Sequence, residues 1–97
     1  MKFEWDENKR LLNLQRHDFD FVGVEAVFEA VRYTILDNHF DYGETRYVTF
    51  GFLVGRVVAV VHTNASDDVT RIISVRKATK NEQRKFYKTI ADGLGEN

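Results

Sequence analysis

The feature that most constrains the fold is a run of three strand-like segments in the second half of the chain. They read "TRYVTFGFL", "RVVAVVHT" and "VTRIISVRK" and are rich in β-branched and aromatic residues, which favour extended backbone. The "VG" between the first two leaves room for a two-residue hairpin turn, and "NASDD" is predicted to form the next turn. Because strands joined by such short turns pair antiparallel, this half of the chain is predicted to form an antiparallel sheet.

The segment "RVVAVVHT" is predicted to lie at the centre of that sheet. Both of its alternating faces are apolar, so each face needs apolar cover. "YTILD" upstream and "KFEW" near the N-terminus are shorter strand-like segments. We therefore expect a mainly antiparallel sheet of four to five strands.

Two helices are predicted before the strand run. The first has Asp6 as its N-cap, ends near His17 and should direct its leucines inward, namely Leu11, Leu12 and Leu14. The second covers "DFVGVEAVFEAV", where apolar residues recur at helical spacing: Val24, Val27, Phe28 and Val31. Both helices are expected to pack one apolar face on the sheet.

A third helix is predicted to close the chain. "TKNE" fits a capping box in which Thr79 is the N-cap and Glu82 reaches back to it, and Gly93 is the predicted C-cap. The predicted inward face consists of Phe86, Tyr87 and Ile90. An order of strand, two helices, four strands and helix predicts an α+β fold in a single domain of residues 1–97.

Composition excludes several kinds of chemistry. With no cysteine, the chain has neither a disulfide framework nor a thiolate nucleophile. The three histidines, at positions 17, 39 and 62, are not spaced to chelate a metal from one helix, so neither a metal site nor a cofactor is predicted. Without a long apolar run or an apolar leader, we expect a soluble, cytoplasmic protein that does not enter the membrane.

Charge is strongly segregated along a chain whose net charge is only -1. Residues 71–88 hold seven basic side chains and one acidic one, whereas residues 11–45 hold seven acidic and two basic ones. We predict one contiguous positive face that includes Arg71 or Arg76. The alternative is a solvated outer face of the last helix, formed by Lys80, Arg84, Lys85 and Lys88.

Arg71 and Arg76 differ from the helix cations because they belong to a strand with buried neighbours. A guanidinium there stays ionised and offers a planar fork of donors, which suits a carboxylate or a phosphate. A structural salt bridge to Glu44 or Asp41 is the alternative for either arginine, and it is more expected for one of the two than for both.

Several of these segments resemble the BrnT family of bacterial type II toxins. The resembling segments are "FEWDENK", "GETR", "VVHT", "RIISVRKAT" and "NEQRKFY", which span Phe3 to Tyr87. The chain departs from the family pattern at "HTNA", where relatives often have "HTER", and at "RHDFDF", where they have "KHGVSF". The resemblance implies a RelE-like α+β toxin that cleaves RNA as an endoribonuclease and arrests growth. It also implies a BrnA-like ribbon-helix-helix antitoxin, through which the toxin would reach operator DNA.

The resemblance and the chemistry of RNA cleavage together suggest roles for the basic residues. Metal-free cleavage needs the 2′-hydroxyl deprotonated, the phosphate charge stabilised and the leaving 5′-oxygen protonated. We assign charge stabilisation to Arg46, Arg71 and Arg76, and RNA contacts to Lys77, Lys80 and Arg84.

His62 is the preferred candidate for proton transfer, because it is expected at the exit of the central strand with an ordinary pKa near neutrality. The alternative is a half-buried histidine satisfied by the backbone. Glu44 could be a general base or the ion-pair partner of Arg46. Lys9 and His17 are interpreted as structural or peripheral, and Trp5 as a core anchor, or else as an exposed indole that stacks on a base.

A function of a different class fits the same residues. In a non-catalytic protein-binding module, or an inactive toxin homologue, the basic face would hold an acidic protein partner and perform no chemical step. Sequence leaves both alternatives open, because an antitoxin would cover the same surface that grips RNA.

Overall fold

Five strands form one sheet in the computed structural model, which describes residues 1–37 and 43–93. The strands are β1 (Lys2–Glu4), β2 (Arg32–Asp37), β3 (Arg46–Leu53), β4 (Arg56–Ser66) and β5 (Val69–Lys77). The helices are α1 (Glu7–His17), α2 (Glu25–Glu29) and α3 (Lys80–Ala91). The predicted loop "NHFDYGET" lies largely outside the described residues, which resume at Gly43.

The strand order is β1-β5-β4-β3-β2, so β4 is central, as its two-faced apolar pattern predicts. Antiparallel pairing joins β2 to β3, β3 to β4 and β4 to β5, whereas β1 lies parallel to β5. The predicted α+β class with a mainly antiparallel sheet is therefore confirmed.

The two faces of the sheet carry separate apolar clusters. Val58 and Val60 of β4 belong to a cluster with α2, and we call this side the α2 face. Val57 and Ala59 alternate with them and belong to a cluster with Phe86 of α3, and we call that side the α3 face. The central strand thus has apolar cover on both sides.

Helix α1 lies with a polar residue, not its leucines, against the sheet. The Asn13 amide accepts a hydrogen bond from the Val75 N–H at 3.0 Å and donates to the Val75 carbonyl at 2.9 Å. It thereby satisfies the outer edge of β5 beyond the short strand β1. The inward prediction for the leucines is wrong, because this docking turns all three outward, with exposures of 51%, 47% and 37% for Leu11, Leu12 and Leu14.

Helix α2 is much shorter than predicted. The Asp20 carboxylate accepts a hydrogen bond from the Val22 N–H at 3.0 Å, and Gly23 has a positive φ of 93°, so the backbone is in a turn before Glu25. Ala30 is already extended, so the helix has only five residues. Val24 and Val27 are nevertheless buried in the core as predicted.

The turns and the last helix agree with the sequence in most respects. Val54 and Gly55, both with positive φ, form the predicted two-residue turn, whereas β4 runs on to Ser66 through most of the predicted "NASDD" turn.

In α3, the predicted capping box of Thr79 and Glu82 is present. Gly93 follows α3 with a φ of 73°, as expected for the C-terminal cap. The inward prediction fails only for Tyr87, which is 52% exposed.

Within residues 1–37 and 43–93, no helix combines the length and apolar character that a membrane span requires.

Candidate active site

A β-bulge in β5 decides which way its arginines point. Ser74 pairs with Val61 of β4, but the next pair along β5 is Ile72 with His62, so Ile73 is an extra residue. Arg71 pairs with Thr63 and Arg76 with Ala59, four residues apart on β4. Because strand side chains alternate with a period of two, the bulge places both arginines on the α3 face; without it they would point to opposite faces.

Arg46 shares that face. It precedes Tyr47, which pairs with His62, so Arg46 lies next to Thr63 of β4. Arg46 approaches Thr63 from the neighbouring strand β3, and Arg71 approaches it from the other neighbouring strand, β5. Strand spacing puts Arg46 and Arg71 about 10 Å apart across the sheet, and puts Arg76 about 13 Å further along β4. Three of the sequence-predicted site residues are therefore brought to one face.

Each of these arginines has a carboxylate partner. Arg71 donates from Nε and Nη2 to Oε2 of Glu4, at 2.9 Å and 2.8 Å. Arg46 Nε lies 3.6 Å from Oε2 of Glu44, as the ion-pair alternative for Glu44 predicts. The expectation that Glu44 or Asp41 would pair Arg71 or Arg76 is not met for Glu44, and Asp41 lies outside the described residues.

Of the three ion pairs, the one between Arg76 and Glu82 has the most favourable hydrogen-bond geometry. It is bidentate, at 2.8 Å and 3.0 Å, and both side chains are about two-thirds buried or more. The hydrogen bond from Arg76 lowers the pKa of Glu82, and the same bond raises the pKa of Arg76. Since Glu82 also accepts from the Thr79 N–H, the pair fixes the start of α3 against β5.

His62 lies inside the sheet and not at its rim. Its side chain is 6% exposed on the α2 face, between the rings of Phe28 and Tyr47. Nε2 is 2.7 Å from Oγ1 of Thr49, and within the described part of the chain the buried Nδ1 has no hydrogen-bond partner. Burial lowers the pKa of His62 to about 4. The expected position at the strand exit and the expected near-neutral pKa are both wrong, because β4 continues to Ser66 and the ring is buried.

The other predicted RNA contacts do not share the face of the arginines. Lys77 pairs with Val58, so it points to the α2 side of the sheet, opposite Arg76. Lys80 and Arg84 are exposed on α3, whose sheet-facing residue is Phe86. The prediction of one contiguous positive face is therefore wrong for the segment as a whole, and the alternative of a solvated outer helix face describes the α3 cations better.

Sequence reasoning missed three parts of this arrangement. It did not assign Glu4 as a partner of Arg71, and it gave Glu82 a capping role only. It also missed the bulge at Ile73, for which "RIISVRK" contains no glycine or other signal. Within the described ranges, no group of three or more His, Asp or Glu side chains could hold a metal ion.

Comparison with known proteins connects this chain to a family. A family model described as the ribonuclease toxin BrnT of type II toxin-antitoxin systems matches residues 5–82. The crystal structure of the Brucella abortus ribonuclease toxin BrnT is similar, with a TM-score of 0.64 and 26% sequence identity, over 82% of this chain and 99% of that chain. Comparison with curated proteins gave no match. Because the family match covers most of the chain, including all of β2 to β5, this protein belongs to the BrnT family of ribonuclease toxins of type II toxin-antitoxin systems.

Proposed function

We propose that this protein is a metal-independent endoribonuclease that arrests growth by cleaving RNA internally. Its antitoxin would be a BrnA-like ribbon-helix-helix protein that covers the toxin. The observation that carries the proposal is the placement of Arg46, Arg71 and Arg76 on the α3 face, which depends on the bulge at Ile73. Three guanidinium groups on one face suit the crowded negative charge of a phosphodiester at its transition state.

In the proposed site, a phosphate of the RNA replaces the carboxylate as the partner of an arginine. The Arg71–Glu4 pair is half exposed, and exposed pairs contribute little to stability, so Arg71 can turn from Glu4 to a phosphate oxygen at low cost. The bidentate Arg76–Glu82 pair is more buried and holds its guanidinium in place. We therefore give Arg71 the direct contact with the reacting phosphate, and Arg46 and Arg76 fixed positive charge on either side.

Proton transfer in this proposal belongs to a carboxylate and not to His62. His62 is buried on the α2 face, the opposite side of the sheet from the arginines. Both contacts from Arg71 fall on Oε2 of Glu4, so Oε1 is not engaged by Arg71. Glu4 would take the 2′-hydroxyl proton as O2′ attacks phosphorus, the P–O5′ bond breaks, and O5′ takes a proton from water. The products are a 2′,3′-cyclic phosphate and a 5′-hydroxyl.

The experiment is incubation of purified, antitoxin-free protein with a long RNA in EDTA, followed by mapping of the new ends. Replacing Arg46, Arg71 or Arg76 with alanine should lower cleavage by roughly a hundredfold, as loss of one preorganised charge donor does elsewhere. Glu4→Gln should lower cleavage while RNA is still bound. Lys88→Ala, on the exposed side of α3, is the matched control and should cleave normally.

Arg71→Ala is the most informative variant, because its exposed ion pair contributes little to folding. Arg76→Ala also removes the contact that orders the start of α3, so its melting temperature must be measured beside its activity. Full cleavage by Arg71→Ala and Arg76→Ala would contradict the mechanism. A parent protein that leaves RNA intact would contradict the enzymatic function itself.

The second candidate function is a non-catalytic module that binds an acidic partner. It is favoured by one observation: all three arginines already pair with carboxylates, which an acidic protein segment could replace. The same assay separates the two functions, because this module would bind antitoxin without producing any new RNA ends.

A further inference from the structure

A cationic pocket lies between α1 and β5, beside the three arginines of the α3 face. We call it the α1–β5 pocket; it has a volume of about 140 Å³. Its lining residues are Lys9, Leu12, Asn13, Arg16, His17, Ile73 and Ser74. Lys9 and Arg16 are two helical turns apart, about 10 Å along the helix axis, and both point to the same side of α1. The bulged residue Ile73 forms part of the floor, so one irregularity shapes both this pocket and the arginine face.

The cations of this pocket have no carboxylate partner in the described part of the chain. The arginines of the α3 face pair with Glu4, Glu44 and Glu82, whereas neither Lys9 nor Arg16 forms an ion pair with any described residue. None of the residues that line the pocket is acidic. The side chains of Asn13 and Ser74 are polar, and they hydrogen-bond to each other at 3.2 Å. Their donors are already committed within the protein, to Asn13 itself and to the carbonyls of Phe19 and Val75, so the pocket offers an anion the positive charge of Lys9 and Arg16.

The pocket continues toward Arg71. Lys9 also lines a neighbouring cavity of about 300 Å³, together with Glu4, Trp5, Asp6 and Arg71. The two carboxylates of this cavity have roles of their own: Asp6 is the N-cap of α1, and Glu4 pairs with Arg71 and is the proposed general base. Positive side chains thus follow one another from Arg71 through Lys9 to Arg16, and the imidazole of His17 lies beside them. A chain with regularly spaced negative charges fits such a series.

We propose that the α1–β5 pocket binds a backbone phosphate of single-stranded RNA next to the phosphate at Arg71, through Lys9, Arg16 and His17. The proposal rests on the proposed ribonuclease function and extends its substrate contacts to α1. A cavity of about 140 Å³ accepts a single phosphate group. RNA is a better occupant than an acidic antitoxin segment because its backbone repeats a negative charge at every nucleotide, which matches the series from Arg71 through Lys9 to Arg16.

The test uses a single-stranded oligonucleotide with 2′-O-methyl ribose, which binds without being cleaved. Trp5 is the only tryptophan in the sequence and lines the cavity next to Lys9, so its fluorescence reports binding directly. Lys9→Ala and Arg16→Ala should each weaken binding about fivefold and make the slope of log affinity against log salt shallower by about 0.7. Lys85→Ala, on the exposed side of α3, is the control and should change neither quantity.

The outcomes separate this inference from the proposed function. If Lys9→Ala and Arg16→Ala bind the oligonucleotide as tightly as the parent, the pocket proposal is overturned even when the parent cleaves RNA. If they bind antitoxin more weakly but the oligonucleotide normally, the pocket is a protein site and the proposal is again overturned. If the parent binds the oligonucleotide through Lys9 and Arg16 but cleaves no RNA, the proposed ribonuclease function fails and the pocket remains an RNA-binding site. Lys9 and Arg16 are both exposed, so neither substitution should disturb folding. The melting temperatures of the variants, measured against that of the parent, check this.

Discussion

At the scale of single residues, His62 makes the stability of this protein depend on pH. The ring is buried beside Thr49, and burial lowers its pKa from 6.5 to about 4. The unfolded chain therefore takes up a proton at this histidine as pH falls below 6.5, whereas the folded chain resists protonation until about pH 4. The stability that the neutral ring contributes is fully present above pH 6.5 and is lost as pH falls toward 4.

We predict that His62→Gln removes this part of the pH dependence. The expected loss in the parent is on the order of 3 kcal/mol between the two pH values. Urea unfolding at several pH values measures it, and the difference between parent and variant cancels the titration of carboxylates that both proteins share. His17→Gln is the matched control, because His17 is exposed. Equal slopes for parent and His62→Gln would show that the ring is protonated as readily when folded as when unfolded.

At the scale of secondary-structure elements, Asn13 joins α1 to β5 through backbone hydrogen bonds. Its amide serves the Val75 N–H and carbonyl, and it also donates to the Phe19 carbonyl at 2.9 Å. One side chain thus satisfies a strand edge and the loop that follows its own helix. A leucine in that place could pack but could not satisfy these groups.

Asn13→Ala is predicted to lower the free energy of unfolding by about 2–4 kcal/mol, because it leaves buried backbone groups without partners. The measurement is chemical denaturation, with Gln15→Ala as the control at an exposed position of the same helix. A loss no larger than that of Gln15→Ala would mean that water replaces the amide without cost.

A substitution at Val54, in the turn between β3 and β4, is predicted to stabilise the protein. This residue has a φ of 52°, where a β-branched side chain is strained, and its side chain is 85% exposed. Asn-Gly is the preferred pair for such a turn, so Val54→Asn should stabilise the protein by about 1 kcal/mol and raise the melting temperature by roughly 4–8 °C. Val54→Ala relieves only the β-branch and should gain less. A melting temperature unchanged in both variants would show that the turn is not strained.

At the scale of the whole molecule, the surface exposes both apolar and basic groups, which bears on the antitoxin. The outward leucines of α1 and the cations of α3 are both open to solvent. We predict that the toxin and its antitoxin copurify through salt washes, with an affinity that weakens but persists as ionic strength rises. Pull-down over a series of salt concentrations measures this. Complete loss of binding at moderate salt would indicate a purely electrostatic contact.

Sequence patterns predicted most of this fold because they report local propensities and burial. The two-faced apolar run of β4, the capping box of α3 and the short turn at Val54 each depend on residues close together in the chain. The orientation of α1 could not be predicted, because Asn13 faces the sheet to form hydrogen bonds with the backbone of Val75, 62 residues away. The same holds for the arginines, whose common face depends on a bulge and whose partners Glu4 and Glu82 come from other elements.

The parallel pairing of β1 with β5 also has a consequence for the timing of protein synthesis. Arg71 is made 67 residues after its partner Glu4. At synthesis rates of about 5–20 residues per second, β1 waits several seconds for its neighbour β5. The Glu4–Arg71 contact, the docking of Asn13 and the pocket beside it therefore form only after β5 has been made. The groups proposed to bind RNA would thus come together only after β5 has been made, which leaves that interval for the antitoxin to be made.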